Sequence, residues 1–151
     1  MRRIRLRGEE GVAMTEFALI LPVFVLIIAG LLSFGRVLFY WIEANHVASE
    51  TARWAIVDQN PFGGQTLQEH AAQSSTQEFE NDVRVCISLP DGPVLGQRVV
   101  VKVQKPFSLV PILDAGTITI RGTSTMRIEN FVNGAGPTAY APGDYKGRAC
   151  T

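Results

Sequence analysis

The sequence predicts an α+β protein in which a long N-terminal transmembrane and stalk helix precedes a second short helix and a small antiparallel sheet of three or more strands. The apolar run Phe17–Gly35 contains no charged residue over its 19 positions. From Val37 to Ala55, apolar residues recur at helical spacing, which extends the helix beyond this run. After Val83 the hydrophobic period changes to two, which is typical of strands with one buried face.

The apolar run is long enough to cross a bilayer. A helix rises about 1.5 Å per residue, so a hydrocarbon core of roughly 30 Å needs about 20 residues. Arg36 marks the outer edge of the span, and Tyr40 and Trp41 fit the aromatic belt of a membrane surface. Pro22 lies inside the span and is predicted to kink it. We place the transmembrane and stalk helix at residues 12–57.

Charge is unevenly distributed along the chain. The first eleven residues hold four arginines and two glutamates. A basic flank before the first span favours a cytoplasmic N-terminus, with the C-terminal region on the other side. The whole chain has 14 basic and 14 acidic residues and no net charge. This balance excludes a bulk electrostatic case for nucleic-acid binding.

Residues 58–151 are predicted to form one α+β domain with an irregular C-terminal tail. The segment Asp58–Gln65 turns the chain, and Thr66 and Glu69 form a capping box that opens a helix ending near Glu80. Three strands are predicted at residues 83–89, 97–105 and 117–129. Pro106 and Pro111 are expected to keep the connection between the last two strands out of the sheet. The apolar face of the strands is expected to pack on the stalk.

The two cysteines, Cys86 and Cys150, are predicted to form a disulfide if the domain is exported. The bridge would close a loop of about 65 residues, worth roughly 4 kcal/mol in the chain-entropy model. Two unrelated thiols are the alternative. His46 and His70 have no metal-ligand spacing, and no phosphate loop or nucleophile elbow is present. The sequence therefore predicts no catalytic residue, metal or cofactor, and hence no enzyme.

Gly11, followed after four residues by Glu16 and Phe17 and then by a long apolar helix, resembles a class III prepilin signal. Residues 8–57 are similar to the TadE/TadF-like pseudopilins of tight-adherence (Flp-type) pilus systems. The resemblance implies that a prepilin peptidase cuts a basic leader, residues 1–11, between Gly11 and Val12. Glu16 is then the fifth residue after the cut. Phe17 stands where related major pilins often have tyrosine, so a role for a phenol hydroxyl is not implied.

Glu16 has two physical interpretations. A glycine at position 11 lets a protease approach the backbone closely, and cleavage there leaves the Val12 amine beside the membrane. Glu16 lies one helical turn further and can compensate that amine, in its own chain or in a neighbouring subunit. The alternative is that Glu16 only extends its carboxylate to the membrane surface, as ordinary flanking residues do.

The resemblance implies a structural subunit with a pilin-like arrangement in the bacterial inner membrane. Its N-terminus would be cytoplasmic and its domain periplasmic. The expected function is that of a minor pseudopilin in the assembly of adherence pili. Its expected partners are the prepilin peptidase, other pilin-like subunits, the inner-membrane assembly platform and the lipid bilayer. The alternatives are an unpolymerised bitopic periplasmic adaptor of an envelope secretion machine and, from a different class, a membrane-anchored enzyme. A plain signal anchor without cleavage also fits the apolar run.

Overall fold

The computed structural model describes residues 9–60, 63–75, 82–110, 115–131 and 136–144. In chain order the elements are α1 (Glu9–Ile56), α2 (Leu67–Gln73), β1 (Arg84–Ser88), β2 (Arg98–Val110), β3 (Ala115–Arg127) and β4 (Gly143–Asp144). The four strands form one antiparallel sheet in the order β3-β2-β1-β4. The predicted α+β fold class is confirmed, with a long N-terminal helix, a short second helix and a small sheet.

The chain divides into two compact units, residues 1–36 and 37–151. In the first unit, every described side chain from Gly11 to Leu32 is exposed. Among the described residues, α1 is the one helix long and apolar enough to cross a membrane, and its most apolar stretch is not buried by the chain itself. An exposed apolar surface of this size marks contact with lipid or with another protein.

In the second unit, α1 supplies one wall of the hydrophobic core and the sheet supplies the other. Val99, Val101 and Val103 of β2 are fully buried, as are Val85 and Ile87 of β1. The buried positions of α1 follow a helical stripe: Tyr40, Ala44, Val47, Ala48, Thr51, Ala52 and Ala55. Most of these residues are small, which lets the helix axis approach the sheet closely.

The closest approach lies at Gly122 on the inner face of β3. A Cβ atom at this position would overlap the carbonyl carbon and oxygen of Ala44 and would lie 2.7 Å from the amide nitrogen of Asn45. Because these are backbone atoms of α1, they cannot move aside without shifting the helix. Gly122 is therefore required by packing, since its φ does not lie in the left-handed region.

The sheet extends further than the sequence predicted. Pro106 was expected to exclude this segment from the sheet, but β2 continues through it to Val110 and pairs Pro106 with Thr119. Among the described residues, β1 pairs with β2 only from Val100 to Gln104. Within the described part of the chain, Pro106 therefore lies where one edge of β2 has no neighbouring strand, which is a position that sheets tolerate for proline. Pro111 lies outside the described residues.

The second helix and the tail also differ from the prediction. The Thr66 hydroxyl accepts a hydrogen bond from the Glu69 amide, which confirms the cap, but α2 ends at Gln73 rather than near Glu80. Ser74 closes this helix by donating its amide to the carbonyl of His70. The tail, expected to be irregular, contributes β4, which pairs with β1. Residues 76–81 and the first eight residues of the predicted leader lie outside the described part of the chain.

We expect Gly122→Ala to destabilise the domain, because the added methyl group meets the backbone of α1. Overpacking of a well-packed interior typically costs about 1–3 kcal/mol. Ser124→Ala is the matched control, since Ser124 lies on the same face of the same strand and loses volume. Chemical unfolding of the full chain in detergent micelles, followed by tryptophan fluorescence, measures both variants. Equal midpoints would contradict the close approach.

Candidate functional site

Gly11 and Val12 lie in the first described turn of α1 (Glu9–Ile56). A Cβ at Gly11 would meet no atom within 4 Å. Glycine inside a helix costs about 0.8–1 kcal/mol relative to alanine. The described part of the chain thus contains no packing reason for glycine here.

Glu16 and Phe17 lie on the exposed surface of α1, one turn after Val12. The Thr15 hydroxyl donates a 2.8 Å hydrogen bond to the carbonyl of Val12, which fastens this turn. Within the part of the chain that the structure describes, no basic side chain forms an ion pair with Glu16. Its carboxylate is therefore available for a group outside the chain, or for an amine created at Val12.

Pro22 lies within α1, and the helix continues through it. Proline has no amide hydrogen, so the carbonyl of Ala18 loses its helical donor. Neighbouring helices can satisfy such a carbonyl in a membrane. The kink at Pro22 stays a prediction.

The other end of α1 carries a polar arrangement that the sequence did not predict. Asp58 has a φ of 49°, in the left-handed region. Its amide donates to the carbonyl of Ala55 at 3.3 Å, and the amide of Gln59 donates to the carbonyl of Trp54 at 3.2 Å. This pair of bonds is a Schellman motif, in which the left-handed position is usually glycine. Because glycine is favoured at this position, an aspartate here indicates that the side chain has a second role.

That second role is to bind the C-terminal tail. The buried carboxylate of Asp58 accepts hydrogen bonds from the amides of Thr138 and Ala139, at 2.6 and 2.8 Å. It also accepts a 2.9 Å bond from the Thr138 hydroxyl. Hydrogen bonds to a charged group contribute about 1.5–3 kcal/mol each, more than neutral ones. We call Asp58, Thr138 and Ala139 the tail clamp.

Two further contacts hold the tail. The buried side chain of Gln68 in α2 donates to the carbonyl of Ala141 at 2.5 Å. Beyond it, Gly143 and Asp144 pair with Ile87 and Cys86 of β1. The tail is therefore attached in succession to the end of α1, to α2 and to the sheet.

Tyr140 lies buried between these attachments. Its hydroxyl oxygen has no hydrogen-bond partner among the described residues. Burial first, and then the negative charge of Asp58, raise the pKa of Tyr140 to about 12. The phenol is therefore neutral throughout the physiological range and acts as a packing residue.

The remaining predicted site residues do not assemble into a reactive centre. Cys86 is buried in β1, whereas Cys150 lies outside the described residues, so the bridge stays a prediction. His46 and Glu50 are exposed, with 3.9 Å between Nδ1 and Oε2. Among the described residues, no group of three or more histidine, cysteine, aspartate or glutamate side chains could hold a metal ion.

These features define a class: a small α+β domain built on the second half of a helix whose first half could span a membrane. A family model described as "TadE-like protein" matches residues 11–53, which include Gly11, Glu16 and most of α1. The resemblance to TadE-like proteins is therefore confirmed over this segment of the chain. Neither a curated protein nor a solved structure matches the chain.

We expect Asp58→Gly to release the tail while preserving the end of α1, because glycine is the preferred residue at this left-handed position. Loss of the carboxylate leaves partly buried amides without an acceptor, which costs about 1–3 kcal/mol for each group. Hydrogen exchange should accelerate at the amides of Thr138 and Ala139. The amides of Glu129 and Asn130, which donate to the carbonyl of Ile56, should stay protected.

Asp58→Asn is the matched control for this experiment. Asparagine tolerates the left-handed conformation, and its single carbonyl oxygen can still accept from both tail amides. Its exchange pattern should stay close to that of the wild type. If Asp58→Gly left the exchange of Thr138 and Ala139 unchanged, the tail would not depend on the clamp.

Proposed function

We propose that this chain is a TadE-like minor pseudopilin that is inserted in the bacterial inner membrane and takes part in the assembly of Flp/Tad-type adherence pili. The observation that carries the proposal is the family match over residues 11–53. This segment contains the complete Gly11–Phe17 motif and the helix that could span a membrane. The basic leader supports a cytoplasmic N-terminus, which puts the α+β domain in the periplasm.

In this proposal a prepilin peptidase hydrolyses the peptide bond between Gly11 and Val12. The exposure of both residues supports this step. Cleavage would shorten α1 by only the first three of its described residues, so the helix from Val12 to Ile56 would keep its packing. A Cβ atom at position 11 would have open space around it, which supports the view that glycine is required there by a partner and not by the fold.

Cleavage creates a positive amine at Val12, and Glu16 lies one turn along the same helix. We propose that Glu16 pairs with the Val12 amine of an adjacent pilin-like subunit in the membrane. A charge in low dielectric is costly unless it is paired, so this contact favours association of subunits. The exposed carboxylate, with no basic partner in the described part of the chain, is consistent with this role.

The proposed Cys86–Cys150 disulfide would fasten the tail beyond the clamp. Asp144 of β4 pairs directly with Cys86, and Cys150 follows six residues later in the sequence. A short segment therefore separates Cys150 from β4, the strand that pairs with Cys86 of β1. The periplasm is an oxidising compartment that permits such a bridge.

We expect Gly11→Leu to block processing, because a branched side chain crowds the backbone that the peptidase must approach. The measurement is the intact mass of the protein from membranes that contain the matching peptidase. Ala13→Leu places the same side chain two residues later and should still be cut. A leader that stays attached to the wild-type chain would refute the pseudopilin function and leave the periplasmic adaptor.

Glu16→Gln tests the assembly contact. The variant should be processed and inserted, since the Gly11–Val12 bond is unchanged, but its association with other pilus subunits should weaken. Removing one partner of a buried ion pair typically costs about 3–5 kcal/mol, which exceeds a hundredfold in an association constant. Co-purification at matched expression measures this loss.

Glu50→Gln, in the domain half of the same helix, is the control and should associate normally. If Glu16→Gln associated and supported pili as well as wild type, Glu16 would be only a flanking residue.

A further inference from the structure

Three contacts fix the direction of the β2–β3 hairpin along α1. The amide of Glu129, just after β3, donates to the carbonyl of Ile56 at the end of α1. Gly122 lies against Ala44, in the middle of the packed segment. The Phe107 ring in β2 lies 5.5 Å from the Tyr40 ring, in an edge-to-face arrangement. From Arg98 toward Val110, β2 therefore runs toward decreasing residue numbers of α1.

The hairpin continues past Tyr40. Phe107 pairs with Ile118, and the ladder extends to the pair Val110–Ala115. Strand residues rise about 3.3 Å each, so three further positions carry the hairpin roughly 10 Å beyond Phe107. β1 does not accompany β2 over this part, because its pairing in the described residues ends at Gln104. Among the described residues, the end of the hairpin is thus a two-stranded ribbon.

The residue that pairs with Phe107 and the two residues that flank Tyr40 in the sequence are apolar or aromatic. Ile118 is 36% exposed, and Phe39 and Trp41 are each about half exposed. The Phe39 and Tyr40 rings pack edge to face at 5.7 Å. The Lys105 ammonium lies 5.3 Å from the centroid of the Tyr40 ring, and both residues are buried. Exposed aromatic rings next to the end of an apolar span are typical of the boundary between lipid and water.

We propose that Phe107 and Ile118, together with Phe39 and Trp41, form a second contact of the protein with the lipid bilayer, at the level of the headgroups. The proposal rests on the membrane insertion of α1 under the proposed function. We call these four residues the interfacial patch.

The depth of the membrane surface supports a lipid occupant. Arg36 marks the outer edge of the apolar run, and Tyr40 lies one helical turn beyond it, which is about 6 Å. The headgroup region on each side of the hydrocarbon core is roughly 5–8 Å thick. Tyr40 therefore falls within this region when α1 spans the bilayer, and Phe107 contacts Tyr40. A docked hairpin would give the domain a second point of attachment to the bilayer.

Quenching of tryptophan fluorescence by brominated lipid tests the proposal. The full chain, with Trp41→Phe and Trp54→Phe, is reconstituted in phosphatidylcholine and phosphatidylglycerol vesicles brominated near the headgroup end of the acyl chains. A single tryptophan is then introduced by Ile118→Trp, by Thr125→Trp or by Phe24→Trp. Thr125 is the matched control, because it is exposed on the same strand about 23 Å from Ile118. Phe24 reports insertion of the span itself.

We expect the reporters at positions 118 and 24 to be quenched several-fold more than the reporter at position 125. Quenching at position 24 without quenching at position 118 would overturn the interfacial patch and favour a protein partner on this surface. Equal quenching at positions 118 and 125 would also overturn it, because the contact would not be confined to the hairpin end. No quenching at position 24 would overturn membrane insertion and, with it, this inference.

Discussion

The contact of α1 with β3 at Gly122 is the constraint on which the domain depends. The alanines of α1 present almost no side chain, so the backbone of the helix itself forms one wall of the core. The strand opposite must then lack a Cβ at the point of closest approach. One consequence is that residues from Val37 onward are not a spacer between an anchor and a domain. They are part of the domain, and a change of helix direction or register there would be transmitted directly to the sheet.

The parts of the fold with strong local periodicity were predictable. Val99, Val101 and Val103 share one parity in the strand, although Val100 interrupts the polar positions between them, and the stripe of α1 repeats at helical spacing. Both buried faces therefore follow from the sequence. The passage of β2 through Pro106 was not predictable, because it depends on where β1 stops pairing. Likewise, β4 has only two residues and no periodicity of its own. It exists because the tail is brought alongside β1 by contacts elsewhere.

The residues of the candidate site also fall into a group that the sequence predicts and a group that it does not. Gly11 and Glu16 belong to a motif of seven residues with a fixed spacing from an apolar helix, so the sequence alone identifies them. Asp58 was interpreted as an ordinary turn residue, because its partners Thr138 and Ala139 are 80 and 81 residues away in the chain. The local signal was that a long helix ends without glycine at its left-handed position. The missing glycine indicates that Asp58 has a second role, but it does not identify the residues that Asp58 contacts.

The tail clamp also bears on the order in which the protein becomes complete during synthesis. The chain emerges from its N-terminus, so α1 and Asp58 are present long before residues 138 and 139. Until then the carboxylate has none of its tail donors, and it is favourable only while water can reach it. Closure of the clamp must bridge a long loop, which is among the slower and costlier steps in chain ordering. We therefore expect the end of α1 to stay hydrated until residues 138 and 139 have been synthesised.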